Sequence, residues 1–169
     1  RNVKEAVLFG LEFEFKKKIV LNEGEYLNIG FNTSLIKSST QIDKRELELI
    51  RAFDPEHSDT RRMYGQSPYI INAYSQYQNN SWNIGANFNV SGESIVIVQK
   101  GAVDVYQAPR PILNFNVAKQ ISEKSSLALS ANNLLSARNV WYYPYKAEEY
   151  IFSSFFYSPE FRISFQVSL

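Results

Sequence analysis

Apolar and polar residues alternate with a period of two in seven separate stretches of the chain. Val7, Phe9, Leu11, Phe13 and Phe15 are interleaved with Leu8, Gly10, Glu12, Glu14 and Lys16. Leu27, Ile29, Phe31, Thr33 and Leu35 are interleaved with Asn28, Gly30, Asn32 and Ser34. Ile71, Ala73, Ser75 and Tyr77 repeat the pattern more weakly, and Trp82, Ile84, Ala86, Phe88 and Val90 repeat it strongly. Leu113, Phe115 and Val117 follow, then Leu127, Leu129 and Ala131, then Phe161, Ile163, Phe165, Val167 and Leu169. Successive side chains of a strand point to opposite faces, so each stretch predicts a strand with one apolar face. The predicted strands lie near 6–18, 25–41, 69–79, 81–98, 109–121, 125–133 and 160–169. Most reach the ~9–11 residues with which a tilted strand crosses a bilayer.

The connections alternate as well. Short ones fall at Asn22-Glu23-Gly24, Asn79-Asn80 and Ser122-Glu123-Lys124, and long ones at 43–67, 98–108 and 134–159. In an up-and-down antiparallel meander, alternate connections lie at opposite ends of the sheet. One end therefore carries tight turns and the other long loops, the asymmetry of outer-membrane barrels. The expected fold is all-β, an antiparallel meander forming a transmembrane β-barrel segment of about seven or eight strands.

A soluble β-sandwich or a lipocalin-like barrel would alternate in the same way, with its apolar face inward. The polar face separates these cases. The strand residues 28–34, 83–89, 114–120, 126–132 and 162–168 place Asn, Gly, Ser, Ala and Gln on that face, with Arg162 as the one charge. A surface facing bulk water carries ~25–35% charged residues. The first strand departs, with Glu12, Glu14 and Lys16 on its polar side. The small, uncharged face fits the wall of an enclosed lumen. Phe9, Leu11, Phe13, Phe15, Ile29, Phe31, Ile84, Phe88, Phe115, Val117, Leu127, Leu129, Ile163, Phe165 and Val167 are then the expected lipid-facing residues.

Composition narrows the function. The 169 residues hold 18 Lys+Arg, 17 Asp+Glu, one His and no Cys, and 15% are aromatic. A balanced charge gives no reason to expect nucleic acid. The absence of Cys excludes disulfides, thiolate zinc sites and a Cys nucleophile. No apolar run approaches the ~18 residues of a membrane helix, and nothing at the start reads as a signal peptide. No phosphate loop, nucleophile elbow or zinc-protease pair is present, so neither an enzyme nor a cofactor is expected.

Aromatics concentrate where interfaces are expected. Tyr77 and Trp82 flank one short turn and Tyr26 lies beside another, as an interfacial girdle requires. Trp141, Tyr142, Tyr143, Tyr145, Tyr150 and Tyr157 crowd the 134–159 connection, either as packing within it or as an extracellular ligand-contacting surface. The run Lys44–Arg51 and the charges through Asp54, His57, Asp59, Arg61 and Arg62 read as a solvated loop, a hairpin extension or a short helix. His57 among carboxylates is a weak cation site. Glu12 and Glu14, about 7 Å apart on one strand face, read as part of a lumenal ion network rather than a catalytic pair.

Several segments resemble the C-terminal barrel of TonB-dependent outer-membrane receptors, the Bacteroidota type in particular. They are Leu8-Phe9-Gly10-Leu11-Glu12-Phe13-Glu14, Tyr64-Gly65-Gln66-Ser67-Pro68-Tyr69, Tyr106-Gln107-Ala108-Pro109-Arg110-Pro111 and Ser130-Ala131-Asn132-Asn133-Leu134-Leu135. The final stretch, with Phe161, Ile163, Phe165, Val167 and Leu169, resembles the terminal strand that serves as the barrel-assembly signal. Two positions depart from the family's pattern. Leu169 stands where an aromatic residue is usual, and Ser136 where Asn or Asp is frequent.

The resemblance implies an outer-membrane protein of roughly 22 strands closed around a plug. This chain would supply only part of that wall. The plug, the rest of the barrel and the segment that couples to TonB are expected elsewhere, with outer-membrane lipid and a surface lipoprotein as further partners. The function it implies is import of a siderophore, glycan or peptide. Two alternatives stand beside it: a small autonomous barrel with a structural or adhesive role, in which 140–157 adds an eighth strand, and a soluble lipocalin-like carrier.

Overall fold

A computed structural model describes residues 5–145 and 148–167. Among them the chain is all-β apart from one short helix. The strands are β1 (Ala6–Asn22), β2 (Glu25–Gln41), β3 (Thr60–Arg61), β4 (Tyr69–Gln78), β5 (Trp82–Ser91), β6 (Ser94–Ile97), β7 (Val105–Gln107), β8 (Ile112–Ser122), β9 (Ser125–Asn132), β10 (Asn139–Tyr145), β11 (Glu148–Phe155) and β12 (Glu160–Val167). The helix, α1, covers Lys44–Arg51.

A large antiparallel meander runs in the order β1-β2-β4-β5-β8-β9-β12, with β3 added beside β2. Its register brings the apolar positions of all seven strands onto one face. One row across the sheet reads Ile19, Leu27, Tyr77, Ile84, Val117, Leu129 and Ile163. The next reads Lys17, Ile29, Ser75, Ala86, Phe115, Ala131 and Phe161. Because the side-chain period is two, a one-residue slip of any strand would send its Phe and Ile side chains to the other face.

Among the described residues nothing packs over this apolar face. Ile163 is 74% exposed, Phe161 72% and Phe9 66%. Phe13 and Phe31 meet diagonally across the β1–β2 pair, ring centroids 6.3 Å apart. The opposite face is held by amide ladders. Asn72 donates to Asn32 at 2.7 Å, Asn89 donates to Asn72, and Asn114 donates to Asn87 at 3.0 Å. Charges on that face sit on the two edge strands, as Glu12, Glu14, Lys16 and Lys18 on β1 and Glu160 and Arg162 on β12.

Two glycines of the polar face make room for a neighbour's side chain. A Cβ on Gly30 would lie 2.1 Å from the Tyr74 ring, and one on Gly85 2.6 Å from Asn116 Oδ1. The three tight turns close one end. Asn79 Oδ1 accepts from the backbone N–H of Ser81 and Trp82, at 2.9 and 2.8 Å, and fixes the β4–β5 turn.

The other end departs from the sequence reading. The strand expected over 81–98 breaks at buried Gly92, where a Cβ would meet Tyr69 and Pro68 at 2.8–2.9 Å. β5 stays in the large sheet, while β6 joins a second, four-stranded sheet ordered β11-β10-β7-β6. The connections 98–108 and 134–159 are thus not plain loops; they supply β7, β10 and β11. The hairpin over 140–157 pairs with β7 and adds no eighth strand to the large sheet. In the 43–67 connection a helix forms. Asp43 caps it, accepting from Arg45 N–H at 3.1 Å, and Glu46 stands in the first turn, so a cap-and-acid signature sets its start. β8 begins at Ile112 rather than 109, because Pro109 and Pro111 lack the N–H a ladder needs. Leu169 of the expected assembly signal lies outside the described residues.

Candidate functional site

The three long connections and β6 converge into one lobe, and the buried apolar side chains among the described residues lie there. Ile42, Ile50, Ile95 and Val105 are nearly or fully buried. Ile42 leaves the end of β2, Ile50 faces inward from α1, and Ile95 and Val105 stand on β6 and β7. The backbone ties the connections together: Gly65 N–H donates to Ile95 C=O at 2.9 Å, and Ala108 N–H to Val140 C=O at 2.9 Å.

A buried ion cluster joins the same segments. Arg61 donates to Asp104 at 2.8 Å and to Glu46 from its other nitrogen. The side chains of Arg61 and Asp104 are 9% and 3% exposed, so the charges are removed from water and must satisfy one another. Burial pushes the Asp104 carboxyl above its ordinary range, while the Arg61 guanidinium and the Gln99 N–H pull the other way. Of the three readings of this charged segment, a solvated loop, a hairpin extension or a short helix, the helix forms over Lys44–Arg51, and the solvated loop does not hold for Arg61. Arg61 is instead buried between two acids from different connections.

A second polar group opens to solvent beside it. Arg62 pairs with Glu93, which also accepts from the Tyr142 hydroxyl. The Tyr106 and Tyr142 rings stack with centroids 5.9 Å apart, and Arg62 lies over the Tyr106 ring at 5.7 Å. Burial, reinforced by Glu93, pushes the Tyr142 phenol far up, and burial raises Tyr106 as well. Both phenols therefore stay protonated. With Pro144 and Glu149 these four residues line a cleft of about 300 Å3. A larger cleft of about 910 Å3 lies between the upper ends of β1 and β2, the start of α1 and Met63–Tyr64.

The aromatic surface expected on the third connection is divided. Tyr142 turns to the Tyr106 side, whereas Tyr143 stacks on Tyr150 at 5.6 Å and Tyr145 meets Tyr150 at 6.3 Å. Trp141 is half-buried and its Nε1 finds no acceptor. The aromatics expected either to pack within this connection or to form an extracellular ligand-contacting surface thus fall into two separate groups on opposite faces of β10. The cause is the period-two geometry of a strand applied to consecutive aromatics.

The interfacial girdle is also revised. Tyr77 and Trp82 lie on the apolar face at the tight-turn end, where Lys119 sits over the Trp82 ring at 4.9 Å. Tyr26 stands on the polar face, with Lys18 3.9 Å above its ring. The lipid-facing candidates all share the apolar face, some exposed and others, such as Ile29, Ile84 and Leu127, half-buried by their neighbours. Glu12 and Glu14 form no joint site: Glu14 pairs with Lys16 at 2.6 Å, and Glu12 accepts from Ser34 at 3.5 Å. His57 bonds Asp54 at 3.0 Å, and no group of three or more potential ligands surrounds a metal position among the described residues.

Asp104, Glu93 and Tyr106 were not singled out as site residues from sequence. The available signal was weak: one acid, Asp104, between Val103 and Val105 in an otherwise apolar stretch. Compared with known proteins, the chain matches no family model, and no curated protein or solved structure is significantly similar to it.

Proposed function

We propose that this chain forms part of the wall, together with the extracellular lobe, of a TonB-dependent outer-membrane transporter that imports a nutrient. The observation that carries the reading is the register: seven strands place their apolar side chains on one uncovered face. Water would not tolerate that face, and hydrocarbon would. Its dimensions also fit a membrane. On β2 the apolar face is free of charge between Glu25 and Lys37. Those twelve steps span about 40 Å along a strand. At a tilt of ~35–45° this gives roughly 30 Å of height, against an apolar band of ~25 Å in such barrels.

The outer edges of β1 and β12 have no strand beside them among the described residues. In hydrocarbon each unpaired N–H or C=O costs several kcal/mol. The rest of a wider barrel, enclosing a plug that couples to TonB, would satisfy both edges. The polar amide-lined face then borders the enclosed interior, and the lobe stands outside the cell.

The test is topological. The chain has no Cys, so once any cysteine elsewhere in the full-length protein is replaced, single-Cys variants report one position each. In cells expressing the full-length gene, Glu149→Cys on the lobe should react with an impermeant maleimide added outside. Glu123→Cys in a tight turn should react only after the outer membrane is permeabilised. Equal labelling of both, or recovery of the protein in the soluble fraction, would overturn the reading.

A further inference from the structure

We propose that the larger cleft, at the upper ends of β1 and β2, binds an organic anion: an acyl or aryl body carrying one carboxylate or phosphate. This deepens the transporter reading and rests on it for the source of the ligand, a dissolved solute rather than a membrane lipid. Ala6 and Thr40 in the lining are a cross-strand pair in phase with the amide-lined face, so the cleft lies on the side of the sheet away from hydrocarbon. At about 910 Å3 it sits at the large end of ligand cavities.

Its walls are preformed. Asp104 accepts from Arg61 at 2.8 Å and from the Gln99 N–H at 3.2 Å, which ties Arg61, in the lining, to the turn that carries Val98 and Lys100. That turn also packs on α1: a Cβ on Gly101, at φ 84°, would lie 3.0 Å from Leu49. Ile42, Met63, Tyr64 and Val98 supply apolar lining, and Tyr64 and Val98 stay exposed to solvent. An apolar body would cover them, and the unbranched Met63 thioether adapts to its shape.

The charges select the head group. Both acids of the lining are engaged: Glu46 is held by Arg61, and Asp43 accepts the Arg45 backbone N–H at 3.1 Å. Asp59, which takes the Gln41 amide at 3.4 Å, lies outside the lining. Arg61 and Arg62 already have carboxylate partners. Lys44, Arg45 and Lys100 do not: all three line the cleft, are exposed, and make no ion pair among the described residues. A cation would meet three like charges and no free carboxylate. A neutral apolar ligand would cover the walls and leave these cations unanswered. A carboxylate or phosphate accepts charge-assisted hydrogen bonds from them without displacing an existing pair.

The experiment uses the full-length gene product in phosphatidylcholine nanodiscs, titrated by calorimetry with 2-naphthyl phosphate against empty discs. Inorganic phosphate, 2-naphthol and 2-naphthylmethylamine serve as comparators for the head alone, the body alone and the opposite charge. The naphthyl phosphate should bind, and each comparator should bind more weakly. Lys44→Gln and Lys100→Gln should each weaken its binding about tenfold. Both side chains are exposed, so folding is not at stake. Lys124→Gln, in a tight turn at the other end of the sheet, should change nothing. No binding of naphthyl phosphate, a comparator that binds as tightly, unchanged affinity in both cleft variants, or an equal loss in Lys124→Gln would overturn the proposal. Discs containing phosphatidylglycerol should leave the affinity unaltered, and suppression there would overturn the solute source. The maleimide labelling described above separates the two levels. No binding in a protein that labels as expected removes only the ligand inference, whereas equal labelling of both positions removes the transporter reading and the solute source with it.

Discussion

The large sheet and the lobe are stabilised in opposite ways. In the lobe, Ile42, Ile50, Ile95 and Val105 are withdrawn from water, and an arginine holds two acids from separate connections. It is built like a small soluble domain. The sheet has regular pairing over seven strands and no core at all, since its Phe and Ile side chains point outward. Hydrogen bonds in a single sheet contribute only ~0.5–1.5 kcal/mol each net of water. Its apolar stabilisation must therefore come from what surrounds it. A substitution that destroys one region should leave the other standing.

The largest effect is expected at the buried cluster. Arg61→Met would leave Glu46 and Asp104 together without a cation, a loss of ~3–5 kcal/mol. Hydrogen exchange should show the lobe opening while the amides of the large sheet stay protected. The loss should depend on pH. The folded lobe holds the Asp104 proton more tightly than the unfolded chain does, because burial raises its pKa above 3.8. The penalty is therefore full above the folded value and shrinks as pH falls through it. Acid should partly close the variant's lobe.

Next comes the orientation of the sheet. Val117→Lys, on the apolar face of β8, should cost ~2–4 kcal/mol if it lies near the membrane midplane. The adjacent Ala118→Lys, on the polar face, should cost much less. Urea unfolding in lipid vesicles measures both, and equal costs would break the comparison.

Gly30→Ala forces a methyl group into the Tyr74 ring and should cost ~1–3 kcal/mol. The double variant with Tyr74→Ser should recover most of that in the same assay. The smallest effect is at Ser136, which adopts φ 45° while its hydroxyl and the Asn133 amide both donate to the Tyr157 C=O. Asn tolerates that left-handed conformation better than Ser. Ser136→Asn should raise stability by a few tenths of a kcal/mol, within the range of such local changes.

The meander was legible in the sequence because each of its strands has one apolar and one polar face, and such strands write their period directly. The second sheet left no such trace. β6 and β7 span four and three residues, too few for a period to register. β10 carries Trp141, Tyr142 and Tyr143 in succession, so aromatics fall on both faces and alternation vanishes. The break in 81–98 hangs on one glycine, whose need for space only its neighbours Tyr69 and Pro68 reveal. The smaller cleft was hidden for a related reason: its residues come from three connections and meet only in the folded lobe.

Spin-label accessibility along β8 tests the central claim most directly. Single-Cys variants from 113 to 120 in the full-length gene product, labelled in lipid vesicles, should alternate strictly. Positions 113, 115 and 117 should be open to oxygen dissolved in lipid, and 114, 116 and 118 should be shielded from it. Loss of alternation, or oxygen access in the opposite phase, would contradict an apolar face turned to hydrocarbon.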